Sequence, residues 1–109
     1  MHLTTIEQNT LKEFISILAS RFADNYLSSC LFGSKARGDF SKDSDLDVAV
    51  VLKHVDYATK CTVIDIAYEE LLKTDVEISP LVFSRDEYER QRREGYPIIR
   101  EIELDMVKL

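Results

Sequence analysis

The sequence predicts an α/β fold (α+β in its segregation): a small mixed β-sheet with helices packed on one face, in the order α-β-β-α-β-α. Three observations predict it. Apolar residues recur at helical spacing in the first two dozen positions and again over 56–73. Short stretches between and after them are either unbroken apolar runs or alternate with a period of two. Turn and capping residues, Gly33-Ser34, the polar stretch 39–44 and Ser84, stand where the period changes. With 109 residues, 45% hydrophobic and 31% charged, the chain suits one folded domain spanning 1–109 and is too rich in apolar residues for disorder.

Each element has its own reason. Over 5–26 the residues Leu11, Phe14, Ile15, Leu18 and Phe22 repeat every three or four positions, and Thr4 or Thr5 can cap the helix with Glu7 or Gln8 three residues on. Residues 27–32 are too few for a helix and stop at Gly33, which predicts a buried strand. A single helical turn follows over 34–38, then a polar loop over 39–44. From 45 to 53, Asp45, Asp47, Ala49 and Val51 share one face, and Leu46, Val48, Val50 and Leu52 the other. Over 56–73 the apolar positions Tyr57, Cys61, Ile64, Tyr68 and Leu71 or Leu72 predict a helix with that side inward.

The stretch 75–83 alternates again, with Asp75, Glu77 and Ser79 opposite Val76 and Ile78, and Pro80 places it at a sheet edge or a bend. Ser84 and Glu87 predict a capped helix over 85–94 that stops at Gly95, with its many charges forming a solvated face. The tail 96–109 fits a helix through Ile99, Ile102, Met106 and Leu109, and equally a strand through Ile102, Leu104 and Met106. By the same periodicity Tyr26, Tyr57 and Tyr68 belong in the core, and Tyr88 and Tyr96 on the surface.

Charge narrows the function. Twenty acids against fourteen bases leave a net charge of −6, which repels a long nucleic-acid strand and suits a small nucleotide or a basic protein partner. The longest apolar run, Val48 to Leu52, is far short of a membrane span, and no leader is expected before Lys12. Cys30 and Cys61 lack a CxxC spacing and read as reduced thiols, so a cytoplasmic setting is expected. His2 and His54 are too few for a zinc site.

The stretch from Leu31 to Val48 carries the chemistry. One strand delivers Gly33-Ser34, and ten residues later a second opens with Asp45-Leu46-Asp47. Carboxylates two apart on a strand point the same way, with Cα atoms roughly 6.6 Å apart. Hard oxygen ligands with open positions suit Mg²⁺ or Mn²⁺, which complete their shell with substrate phosphates. Gly33 lacks a Cβ and lets phosphate approach the backbone, Ser34 adds a hydroxyl, and Lys35 and Arg37 add positive charge. A third carboxylate can come from the 75–83 strand: Glu77, flanked by core-facing Val76 and Ile78, or Asp75 on the same face.

These residues resemble a known family. Gly33-Ser34, ten residues, then Asp45-Leu46-Asp47 is similar to the signature of the DNA polymerase beta nucleotidyltransferase superfamily. The fuller string Gly33-Ser34-Lys35-Ala36-Arg37-Gly38 with Ser44-Asp45-Leu46-Asp47 resembles its minimal nucleotidyltransferases (MNT), among them the antitoxins of HEPN–MNT pairs. The resemblance implies that Asp45 and Asp47 hold Mg²⁺ and that Gly33 and Ser34 bind the triphosphate. It implies phosphate contact or loop rigidity for Arg37, and places Glu77 where the family often has Asp. The implied activity is transfer of AMP from ATP to a tyrosine of a HEPN ribonuclease toxin, with the toxin completing a hetero-oligomer. Two alternatives stand beside it: a non-catalytic antitoxin that neutralises by binding, and a transferase acting on a small molecule of the aminoglycoside type.

Overall fold

Thr4 opens the first helix. Its hydroxyl accepts the Glu7 N–H at 3.1 Å while the Glu7 carboxylate accepts the Thr4 N–H at 2.9 Å, a reciprocal box that satisfies two donors at the start of α1 (Thr5–Phe22). The computed structural model describes residues 2–39 and 44–109, so most of the predicted loop over 39–44 lies outside the described residues. A 3₁₀ turn, Ala23–Asn25, leads into β1 (Tyr26–Phe32). One turn of helix, α2 (Ser34–Arg37), precedes β2 (Leu46–Leu52). Asp56 then caps α3 (Tyr57–Thr74) by accepting the Thr59 N–H at 2.8 Å. After β3 (Ile78–Ser84), Ser84 caps α4 (Arg85–Arg93) through the Glu87 N–H at 3.1 Å.

The ambiguous tail divides. Pro97, with no N–H to lose, starts α5 (Pro97–Asp105), and Val107–Lys108 forms a short β4. The helix reading holds through Ile99 and Ile102, whereas the strand reading fails: Ile102 and Leu104 lie on α5 and Met106 is its cap, and the strand is the later pair Val107–Lys108.

The sheet order is β3-β2-β1-β4, with β2 and β3 parallel and the other two pairs antiparallel. Pro80 sits on β3, the edge strand, where a missing N–H is tolerated. This order positions the site. Parallel β2 and β3 begin at the same end of the sheet, and antiparallel β1 finishes there. The start of β2, the start of β3 and the Gly33 turn after β1 therefore share one rim.

Alternation sends side chains to both faces. Leu31, Leu46, Val48, Val50 and Leu52 pack under Leu11, Phe14 and Leu18 of α1 and Val63, Ile66 and Ala67 of α3. Side chains of this size contribute roughly 1.5–3 kcal/mol each when fully buried. The two long helices thus lie on one face as expected. The short α4 and α5 take the other, because Cys30, Phe32, Ala49 and Phe83 make it apolar too and Ile99 and Ile102 of α5 close over it. No described helix is long and apolar enough to cross a membrane.

Two expectations change. The inward side of α3 is Val63, Ile66, Ala67 and Glu70, so Tyr57, Ile64, Tyr68 and Leu72 face outward. Asp75 does not lie on a strand: it is the left-handed C-cap of α3 (φ 61°), and β3 starts three residues later.

Candidate active site

Gly33 decides the geometry of the rim. Its backbone (φ 78°, ψ −158°) lies in a region that essentially only glycine occupies. A Cβ placed there would overlap the Asp47 carboxylate oxygen and stand 3.3 Å from its Cγ. The missing side chain is therefore what lets the turn and the second aspartate touch. The Gly33 carbonyl accepts from Ala36 and Arg37 at 3.1 Å, which winds α2. Gly38 ends it with a left-handed backbone (φ 92°).

Asp45 and Asp47 occupy the mouth of β2 on one face. The Asp45 Oδ2 accepts from Ser79 Oγ on β3 at 2.8 Å, and Asp47 stands opposite Ser79 in the parallel register. Burial first, then the charges of Asp45 and Glu101, push the Asp47 carboxyl above its ordinary value, while Arg37 draws it down. An electrostatic strain of this kind is what a bound cation relieves.

Glu77 is one position ahead of the first β2–β3 pair, Leu46 with Ile78, and its carbonyl accepts the Leu46 N–H at 2.9 Å. Alternation puts it on the same side as Ser79 and Asp45. Its side chain is exposed at the rim, and among the described residues no three His, Cys, Asp or Glu side chains are gathered into a metal-binding group. The aspartate pair fits a hard cation by donor chemistry, with room left for substrate oxygens.

This combination, a Gly-Ser turn closed against the second of two strand-mouth aspartates, agrees with the comparisons. A nucleotidyltransferase domain model matches residues 11–107, nearly the whole chain. The chain belongs to the nucleotidyltransferase domain family. A Methanocaldococcus jannaschii protein provisionally named a protein adenylyltransferase is 35% identical over 78% of this chain and 81% of its own length. A second from the same organism, with the same provisional name, is 36% identical over 69% and 77%. Among solved structures, one provisionally described as a minimal nucleotidyltransferase has TM-score 0.62 at 19% identity, covering 100% of this chain and 97% of its own. A toxin–antitoxin crystal structure with AMP-PNP has TM-score 0.61 at 16% identity, covering 89% and 70%. At these identities the structures show a shared fold.

The remaining motif residues of this nucleotidyltransferase divide by where their side chains go. Lys35 is buried and pairs with Glu7 Oε2 at 2.8 Å, fastening the turn to α1. Arg37 faces Asp39 through Nε at 3.1 Å and Asp105 through Nη1 at 3.0 Å. Those contacts favour rigidity of the turn, while its charge still reaches Asp47.

Tyr88 also departs from expectation. It is half-buried, donates to Glu103 at 3.2 Å and meets Phe83 edge-on at 5.5 Å. Burial and Glu103 push its hydroxyl up to about 12, so it stays protonated.

Sequence reasoning missed Ser79 as the partner of Asp45 and Glu101 as a charge on Asp47. Ser79 was visible in the alternating pattern. Glu101 was not, because nothing local shows that α5 folds back over the sheet.

Proposed function

We propose that this nucleotidyltransferase is the antitoxin of a HEPN–MNT pair, a cytoplasmic Mg²⁺-dependent protein adenylyltransferase that moves AMP from ATP to a tyrosine hydroxyl of a HEPN ribonuclease. The observation that carries the reading is the closure of the Gly33 turn on Asp47 beside Asp45. The provisional adenylyltransferase names of its relatives and the toxin–antitoxin neighbour support the acceptor class.

Asp45 and Asp47 would hold Mg²⁺ (or Mn²⁺), which when bound neutralises phosphate charge and stabilises the leaving pyrophosphate. Gly33 lets the triphosphate come against the backbone, and Ser34 donates to it. Arg37, braced by Asp39 and Asp105, keeps that turn in shape. The acceptor oxygen attacks the α-phosphorus in line. The new P–O bond forms as the bond to the bridging oxygen breaks, and pyrophosphate leaves with that electron pair. The acceptor proton passes to a rim carboxylate, with Glu77 the one exposed for it. The turn and the carboxylates act mainly by positioning and charge complementarity.

Intact-mass analysis of the HEPN protein after incubation with this chain, ATP and Mg²⁺ tests the proposal. One or more AMP units should appear on the partner and vanish with Asp47→Ala. Full neutralisation by Asp45→Ala/Asp47→Ala, with no mass gain from the wild type, would establish the non-catalytic antitoxin instead.

A further inference from the structure

The two long helices share one layer, yet their outer faces differ in kind. On α1 the outer residues Gln8, Asn9, Lys12, Ser16 and Ser20 are polar and exposed, apart from exposed Ile6 in the first turn. On α3 they are Tyr57, Ile64, Tyr68 and Leu72, with relative exposures of 79%, 53%, 58% and 69%. Their spacing, seven, four and four residues, makes one stripe nearly opposite the buried Val63, Ile66 and Glu70. A stripe of this length, four large apolar side chains along some five turns of helix, is what an interaction face looks like. Asp65 and Glu69 border it on one flank, and both are exposed; Lys73 beyond them is held by Glu13 of α1 at 3.0 Å, and exposed Lys60 stands on the other flank.

That acidic flank selects the occupant. If a second copy docked with its α3 antiparallel, the two-fold axis would keep each flank on its own side. Asp65 and Glu69 of both copies would then meet, and like charges at close range oppose association. A helix with an apolar stripe bordered by Lys or Arg has no such conflict, and the net charge of −6 favours it further.

We propose that the outer face of α3 is where the partner protein docks, seating one of its amphipathic helices with a basic edge along Asp65 and Glu69. This rests on the antitoxin reading above and assigns it a surface. α3 ends at Thr74, shortly before Glu77 and the start of β3, so the Leu72 end of the stripe approaches the catalytic rim. Asp47 points to the other face of the sheet, with Phe32 and Ala49, so a partner held along α3 leaves Gly33 and Asp47 uncovered.

The test is calorimetric titration of this chain with a HEPN ribonuclease cloned from the same genome. Ile64→Asp/Tyr68→Asp should raise Kd at least tenfold, with the circular dichroism spectrum and Mg²⁺–ATP binding unchanged. Asp65→Lys/Glu69→Lys should weaken the complex and flatten its dependence on NaCl. A Kd within twofold of wild type for the α3 variants overturns the surface and leaves the antitoxin reading standing. Wild-type chain that forms no complex overturns both. Self-association of the chain alone, abolished by the same α3 substitutions, would assign the face to a second copy and also overturn the proposal.

Discussion

Single residues carry two of the strongest constraints. Gly33 holds a backbone conformation reserved for glycine and leaves the space that the Asp47 carboxylate fills. Gly33→Ala should cost about 1–3 kcal/mol in urea unfolding and should weaken nucleotide binding by displacing Asp47. Glu70 is the second. It is fully buried between α1 and α3, and among the described residues neither carboxylate oxygen meets a hydrogen-bond donor. Burial and then Glu13 push it up to about 7, with Glu69 adding to the rise and Lys73 opposing it.

The sign follows from proton binding: between the ordinary value of 4.5 and about 7 the folded state holds the proton more tightly than the unfolded chain. The penalty for ionising Glu70 is absent below that window and full above it, so its contribution lowers stability as pH rises. Glu70→Gln should remove this pH dependence and stabilise the fold at pH 8 by roughly 1–3 kcal/mol, read from denaturation midpoints at pH 5 and pH 8.

At the scale of elements, α2 is fastened from outside. One turn of helix is marginal alone, and the buried Lys35–Glu7 pair binds it to α1. Losing a hydrogen bond to a charged group costs roughly 1.5–3 kcal/mol. Lys35→Met should therefore destabilise by about that amount in chemical denaturation, since it takes the ammonium away from the Glu7 carboxylate and frees the turn from α1. An unchanged denaturation midpoint would contradict the role assigned to the pair.

The same scale shows what could be read from the chain. Strands β1 and β2 were plain because apolar runs stop at turn residues, and the aspartate pair was plain because a period of two fixes its face. The inward side of α3 was not. Apolar residues line two opposite sides of that helix, and the buried side includes an acid, Glu70, so periodicity alone favours the wrong one. Asp75 looked like part of an alternating strand, but α3 runs to Thr74 and needs a left-handed cap at that position. Lys35 sits in a phosphate-type motif, and only the docking of α1 reveals Glu7 as its partner.

At the scale of the whole molecule, a second electrostatic cost beside that of Glu70 lies at the catalytic rim. Burial and like charge destabilise ionised Asp47, so the fold accepts a local cost that a cation offsets. Asp45→Asn/Asp47→Asn should raise the melting temperature of the ligand-free protein. The same variant should lose the stabilisation that Mg²⁺–ATP gives wild type, about 2.7 kcal/mol at a hundredfold excess over Kd. Differential scanning calorimetry with and without ligand reads both effects, and equal ligand stabilisation of variant and wild type would contradict the assignment.

The most direct measurement is isothermal titration of ATP into the folded chain, alone and bound to the HEPN protein proposed as its partner, with and without Mg²⁺. The account predicts one ATP per chain, dependent on Mg²⁺ and lost in Asp45→Ala/Asp47→Ala. ATP uptake indifferent to both Mg²⁺ and those substitutions, or no uptake in either form, would contradict it.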